Sequence, residues 1–426
     1  MYQPKPTQGD TGWFVHDRFG MFIHWGLYAL PSRHEWVQSM EEIHPDTYAK
    51  YFQQFNPVKY DPRKWAKAAR EAGMKYVVLT TKHHEGFCQW DSKFTDYKVT
   101  NTPYGKDVLG QYVEAFRAEG LRVGFYYSLI DWHHPDFPID VFHPLRNHPD
   151  VAALNAGRDM RRYAEYMRNQ VAELLSTYQP DILWCDFSYP THSYKGLPGK
   201  GHLDWESEKL LEVIRSISPK IILNNRLDLP VSADVYTPEQ IQPTEWVRVD
   251  GEPVVWEACQ TFSGSWGYHR DEETWKSPEQ LIRMLINTVA CGGNLLMNVG
   301  PTSLGNFDRR ANDALVVYRD WMEYHSASIY GCTQSAYSAP QDCRLTQNGN
   351  KLYVHVYAWP FKILSVEGLG GKVEFARFLH DGSEVLMHVS DWERGQLNIT
   401  DSTLVLSLPV KKPEVVVPVI ELTLKV

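Results

Sequence analysis

With 426 residues, 43% of them hydrophobic and 22% charged, the chain can bury a large core beneath an ordinary polar surface, most naturally as one large domain and one smaller one. A net charge of −9 at pH 7 argues against nucleic acid or an anionic membrane as partner, since both call for basic patches, and no apolar run approaches the length of a membrane span. The residues from Met1 to Asp10 lack the apolar centre of a secretory leader, so a cytoplasmic protein is expected unless a leader has been removed.

In chain order, short β-branched and aromatic runs alternate with amphipathic stretches. Strands are expected over 19–25, 76–81, 122–127, 182–186, 221–224, 254–257 and 295–299. Helices are expected over 62–72, 108–118, 161–178, 206–217, 278–290 and 308–324, with Pro62 and Pro278 in first turns and Gly73 and Gly120 just past helix ends. This alternation predicts a parallel sheet closed into an α/β, (β/α)8-like TIM barrel over residues 1–335. From about Ser338 the texture changes to short Val-, Leu- and Thr-rich runs (351–357, 363–366, 372–375, 403–408, 419–426) separated by turn residues. They predict a C-terminal antiparallel β-sandwich over 336–426, read as a stabilising or docking module. The His- and Pro-rich stretch 131–150 reads as a long ordered loop.

Barrel enzymes carry their chemistry at the C-terminal ends of the strands. Here the strand ends deliver His24-Trp25, Lys82-His83-His84-Glu85, Tyr126-Tyr127, Trp184-Cys185-Asp186, Asn224-Asn225-Arg226 and Trp256-Glu257 to one rim. Together with an aromatic content of 13%, including 15 Trp and 24 Tyr, this points to a sugar pocket, because the C–H faces of a pyranose stack on flat rings. Asp186, at the end of an apolar strand, is the candidate nucleophile, with a cation such as Arg226 to compensate its ionisation. Glycoside hydrolysis needs a second carboxyl that starts protonated. Glu35, Glu239 and Glu257 are all candidates: Glu257 is favoured by its place at a strand end, Glu239 by its place on a loop able to reach over the sugar.

His83 and His84 would point to opposite sides if extended, no H-E-x-x-H spacing is present, and sugar hydroxyls are the better use of these rings than a metal. No metal and no cofactor are called for. The six cysteines (Cys88, Cys185, Cys259, Cys291, Cys332, Cys343) contain no C-x-x-C pair and read as buried thiols.

These segments resemble the α-L-fucosidases of glycoside hydrolase family 29. The similarity runs in order through Phe19-Gly20-Met21-Phe22-Ile23-His24-Trp25-Gly26, Glu35-Trp36, Lys75 to Phe87, Gly124-Phe125-Tyr126-Tyr127-Ser128, Leu183-Trp184-Cys185-Asp186 and Gly292 to Pro301. The chain differs from the usual pattern at Val37 (Tyr), Glu85 (more often Asp) and Phe187 (Gly in many members), and in the His-rich loop. The resemblance implies a barrel followed by a sandwich and a retaining exo-glycosidase acting on fucosylated oligosaccharides or glycoconjugates. It implies Asp186 as nucleophile and, from the Tyr-Thr-Pro-Glu segment, Glu239 as acid/base. It further implies that His24, Glu35, Trp36, His83, His84 and Tyr126 hold the fucose, that Trp184 lines the site, that Arg226 lies beside it and that Trp266 meets the sugar methyl. Two rivals remain open from sequence: a lectin-like barrel that binds fucose without turnover, and a retaining glycosidase for α-L-galactose.

Overall fold

A computed structural model of the protein describes residues 3–229, 232–396 and 399–425. Met1, Tyr2 and Val426, which figured in the reading of the chain's start and of its last strand, lie outside them.

Seven parallel strands form the main sheet: β1 (Phe19–Ile23), β2 (Tyr76–Lys82), β3 (Arg122–Ser128), β4 (Ile182–Asp186), β5 (Ile222–Leu223), β6 (Glu257–Thr261) and β7 (Asn294–Val299). Their order is β6-β7-β1-β2-β3-β4-β5. The opening between β5 and β6 is bridged by the segment 235–239, which makes parallel bridges from Val235 to Asn224, from Tyr236 to Trp256 and from Glu239 to Cys259. Backbone bonds Tyr236 N→Val255 O (2.9 Å), Glu257 N→Tyr236 O (2.9 Å) and Cys259 N→Pro238 O (3.1 Å) hold it there. It therefore serves as an eighth stave, and the sheet closes on itself.

The helices packed outside include α1 (Pro62–Glu71), α2 (Val108–Ala118), α3 (Met160–Tyr178), α4 (Ser207–Ile217), α5 (Pro278–Ala290) and α6 (Arg309–His325). Their starts are fixed by the caps the sequence offers. Asp61, Asp107, Asp159 and Asp308 each accept backbone N–H groups of the first turn, and Ser277 forms a capping box with Gln280. Among the described residues no α-helix lies on either side of the eighth stave: a 3-10 turn (Asn225–Leu227) precedes it after β5, and a short hairpin of Arg248–Val249 and Glu252–Pro253 follows it before β6.

The barrel interior is aromatic and aliphatic, built by Phe22, Tyr76, Val78, Tyr126, Trp184 and Leu296 among others. Gly20 is required by close approach: a Cβ there would sit 2.3 Å from the Tyr76 ring, which crosses the barrel floor above it. A larger apolar layer joins the sheet's outer face to the helices.

The C-terminal strands are β8 (Cys343–Asn348), β9 (Lys351–Val356), β10 (Ile363–Glu367), β11 (Val373–Phe378), β12 (Thr403–Ser407) and β13 (Val419–Leu424). One antiparallel sheet runs Thr333–Gln334, β8, β9, β13, β11, and β10 pairs with β12 in a second. They enclose a separate apolar core that includes Leu352, Val354, Val366, Leu406, Ile420 and Leu422. This is the barrel-plus-sandwich class expected from the sequence. Strand β8 was not anticipated, because Cys-Arg-Leu-Thr-Gln-Asn alternates without a β-branched apolar core.

Candidate active site

At the C-terminal mouth of the barrel, Phe22, His24, Glu35, Trp36, His83, His84, Tyr126, Trp184, Asp186, Phe187, Glu239, Cys259 and Trp266 line one pocket of about 350 Å³ counted out to solvent. Every proposed binding residue except Arg226 is on this wall, and Arg226 stands directly behind the two carboxyls.

Asp186 ends β4 with its carboxylate turned inward. Tyr126 donates to Oδ2 at 2.7 Å, Arg226 donates to Oδ1 at 3.1 Å, and His84 Nε2 lies 4.0 Å from Oδ2. Burial raises its pKa to about 6, with Glu239 adding to the rise, while Arg226, the Tyr126 hydroxyl and the Phe187 N–H oppose it. Glu239 is reached by the other arm of the same guanidinium: Arg226 Nη2 donates to Oε2 at 2.9 Å. Its side chain is 42% exposed, against 12% for Asp186.

Burial alone would lower the Arg226 pKa, yet the facing carboxylates carry it above its usual range. The group is fixed in place: Nε donates to Thr237 Oγ1 at 3.0 Å, and its plane lies 4.8 Å over the Trp184 ring.

The histidines have assignable tautomers. Asn298 donates through Nδ2 to the Trp266 carbonyl (2.6 Å), so its Oδ1 faces His24 Nδ1 at 2.7 Å and must accept from it. Ser128 donates to the Ile130 carbonyl (2.7 Å), so its Oγ accepts from His84 Nδ1 at 2.6 Å. In both rings Nε2 is left as a bare acceptor. Burial lowers His24 to about 3 and His84 well below its ordinary value, so both are neutral. His83, lowered likewise by burial, lies parallel to Tyr126 at 5.6 Å, and its Nδ1 is buried without a partner. Glu35 accepts from Gly267 N at 2.9 Å and Ser265 Oγ at 3.4 Å, with burial raising its pKa. The pocket thus offers several acceptors. Next to them, in contact with His24, is an apolar cluster in which Phe22 touches Trp184 and Trp266 with ring centroids 5.2 and 5.9 Å apart. That division suits a ring carrying hydroxyls on one part and an apolar group on another.

Three expectations from sequence change. His83 and His84 do not diverge: β2 ends at Lys82 and a turn closed by Gly86 N→His83 O (3.0 Å) brings both rings to the pocket, 4.1 Å apart. Glu257 does not end a strand; it begins β6, paired with Asn294 at the opposite end of the barrel. There it accepts from Tyr76 OH at 2.5 Å and is raised by burial to about 7, away from the pocket, so it is not placed to serve as acid/base. Glu239 is not on a free loop but on the stave that closes the barrel.

Phe187, where many members of the resembling family have glycine, has φ +86°, a left-handed conformation that disfavours a bulky side chain. Its ring is held against Trp36 (5.2 Å), His84 (5.2 Å) and Phe142 (5.4 Å). Asn298 and Ser128, which orient His24 and His84, were not singled out from sequence, although Ser128 ends β3 and Asn298 is next to last in β7. Among the described residues no group of three or more His, Cys, Asp or Glu side chains is arranged to hold a metal ion.

Comparison with known proteins gives a consistent result. The profile of the Alpha-L-fucosidase family matches residues 2–327. The plasma alpha-L-fucosidase of Homo sapiens is 30% identical over 356 residues, covering 75% of this chain and 68% of that protein. Alpha-L-fucosidase isoenzyme 1 from Paenibacillus thiaminolyticus superposes with a TM-score of 0.91 at 45% identity, over 97% of this chain and 98% of that one. A GH29 alpha-L-fucosidase from Bacteroides thetaiotaomicron, solved as a trapped covalent intermediate with 2-fluoro-fucosyl fluoride, superposes with a TM-score of 0.84 at 29% identity, over 100% and 98% of the two chains.

Proposed function

The chain belongs to the α-L-fucosidase family, and from that premise we propose that Asp186 is its nucleophile and Glu239 its acid/base. The protein is a glycoside hydrolase, a retaining α-L-fucosidase acting on fucosylated substrates. In the first step Asp186 attacks the anomeric carbon while Glu239 gives its proton to the leaving oxygen, and the C–O bond breaks with its electron pair to that oxygen. In the second step Glu239 takes a proton from water as water attacks the same carbon, and the ester bond returns its electrons to Asp186. Fucose leaves with its configuration kept.

The sugar's hydroxyls donate to Nε2 of His24 and His84 and to Glu35, and its methyl group lies against Phe22, Trp184 and Trp266. We propose terminal fucose on oligosaccharides or glycoconjugates as the substrate and a reducing, cytoplasmic setting, the latter supported by six free, buried cysteines.

The observation that carries the assignment is the single guanidinium of Arg226 bonded to both carboxyls in one sugar-sized pocket. The test uses Glu239→Ala on two classes of substrate. An aryl fucoside with a good leaving group needs little protonation, so the variant retains much of its rate there while losing about 10²–10⁴-fold on a natural fucosyl oligosaccharide. An equal loss on both substrates would remove Glu239 from the acid role.

A further inference from the structure

We propose that Arg226 is a fixed counter-ion shared by Asp186 and Glu239, which compensates the negative charge as it passes from one carboxyl to the other during turnover and so supports the proton cycle of the acid/base. The proposal rests on the roles given above to Asp186 and Glu239, and it concerns what couples them.

The geometry is that of a fixed cation between two carboxyls carried on successive staves. Asp186 ends β4, Arg226 follows β5, and Glu239 ends the eighth stave. Nη1 serves Oδ1 of Asp186 at 3.1 Å and Nη2 serves Oε2 of Glu239 at 2.9 Å. The guanidinium cannot follow either partner, because Nε is tied to Thr237 Oγ1, Nη2 also donates to the Thr237 carbonyl at 3.2 Å, and the face rests on Trp184. Thr237 is itself held, donating to Asn225 Oδ1 at 2.9 Å. The ionisable groups around this triad include Tyr126 from β3, His84 after β2, Cys185 from β4, Cys259 from β6, and the two carboxyls themselves. Arg226 is the single fixed cation among these groups, since His84 is neutral.

Charge moves between the two carboxyls in the reaction. As the ester forms, Asp186 goes from −1 to neutral, and as the leaving oxygen takes its proton, Glu239 goes from neutral to −1. The pair carries one negative charge before and after, and that charge changes residue. A cation bonded to both sites meets it in either place without moving. Before the first step Arg226 keeps Asp186 ionised. Once Asp186 is esterified, the whole field of Arg226 falls on Glu239 and keeps it deprotonated, which is the form that must accept a proton from water. Deglycosylation is then favoured by the loss of the competing anion.

The test compares Arg226→Gln, which removes the charge, with Arg226→Lys, which keeps it, by the pH profile of kcat/KM on an aryl fucoside. Without the cation both carboxyls hold their protons more tightly, so both limbs of the bell move to higher pH by about 1–3 units in the Gln variant. The Lys variant loses rate but keeps the bell in place. A uniform loss with unmoved limbs in Arg226→Gln, or an equal displacement in both variants, would overturn the proposal by reducing Arg226 to a packing role.

A second measurement needs no variant: the wild-type enzyme trapped with 2-fluoro-fucosyl fluoride should keep Glu239 bonded to Arg226. Glu239 turned away from the guanidinium in that complex would equally contradict it. Failure of the underlying assignment is read separately, from the leaving-group dependence of Glu239→Ala.

Discussion

Asp186 shows how little of a catalytic group is specified by its identity alone. Its sequence position at the end of Ile182–Asp186 places it at the mouth, but its ionisation is set by residues far along the chain, Tyr126 and Arg226. Because burial raises it to about 6, the nucleophile becomes protonated as pH falls through that value. The activity consequence has a definite sign: kcat/KM should be level above about pH 6 on this limb and fall tenfold per unit below it. A profile on an aryl fucoside checks this, and an acidic limb near pH 4 would mean that Arg226 and Tyr126 outweigh burial. Phe187 adds the opposite lesson. The sequence marked it as a departure from the glycine of many members, but only the φ of +86° shows why glycine is preferred there, and only the packing on Trp36 and Phe142 shows what holds a phenylalanine in its place.

At the scale of elements, helices α1 to α6 were legible to within a residue or two, because Asp and Ser caps, first-turn prolines and C-terminal glycines mark their ends in the sequence, whereas the helix Pro45–Gln54 was not anticipated. The eighth stave and β6 were not legible. Glu257–Thr261 reads Glu-Ala-Cys-Gln-Thr, without the β-branched run that attracted the strand expectation to 254–257, and this shift moved Glu257 to the wrong end of the barrel. The segment 235–239 contains Pro238 and makes isolated bridges, so no periodicity reveals it. Its anchor is tertiary: buried Asp234 accepts from Gly9 N (2.7 Å), Leu223 N (2.9 Å) and Arg215 Nη2 (2.7 Å). Asp234→Ala strips the partly buried Arg215 of its carboxylate partner, leaves Gly9 N and Leu223 N without their acceptor and frees the start of the stave that carries Glu239. We expect a loss of about 3–5 kcal/mol in urea unfolding, together with a lower kcat. A stability loss with kcat unchanged would show that the stave keeps Glu239 in place without this anchor.

Across the whole molecule, the two apolar cores are joined rather than merely adjacent. Tyr353, Val417 and Val419, from the C-terminal strands and the segment leading to β13, belong to the same apolar cluster as the barrel's outer layer. Polar links cross as well: Trp321 Nε1→Val417 O (3.0 Å), Arg283 Nη2→Tyr357 O (2.8 Å) and Thr346 Oγ1→Ser328 O (2.7 Å). The sandwich therefore covers apolar surface on α5 and α6 that would otherwise face water, and calorimetry should give one unfolding transition for the full chain. Two resolved transitions would make the sandwich an independent unit. The change of texture near Ser338 made the second set of strands legible in sequence; the covering of α5 and α6 was not, since those contacts join residues some 70 to 100 positions apart.

The account depends above all on Asp186 forming the covalent bond to the sugar. Inactivating the wild-type enzyme with 2-fluoro-fucosyl fluoride, digesting it and mapping the adduct by mass spectrometry tests that directly. The predicted result is one 2-fluoro-fucosyl adduct, formed with loss of the anomeric fluoride, on the peptide containing Asp186 and at that carboxylate. An adduct on Glu239, Glu35 or any other side chain, or time-dependent inactivation with no adduct at all, would contradict it.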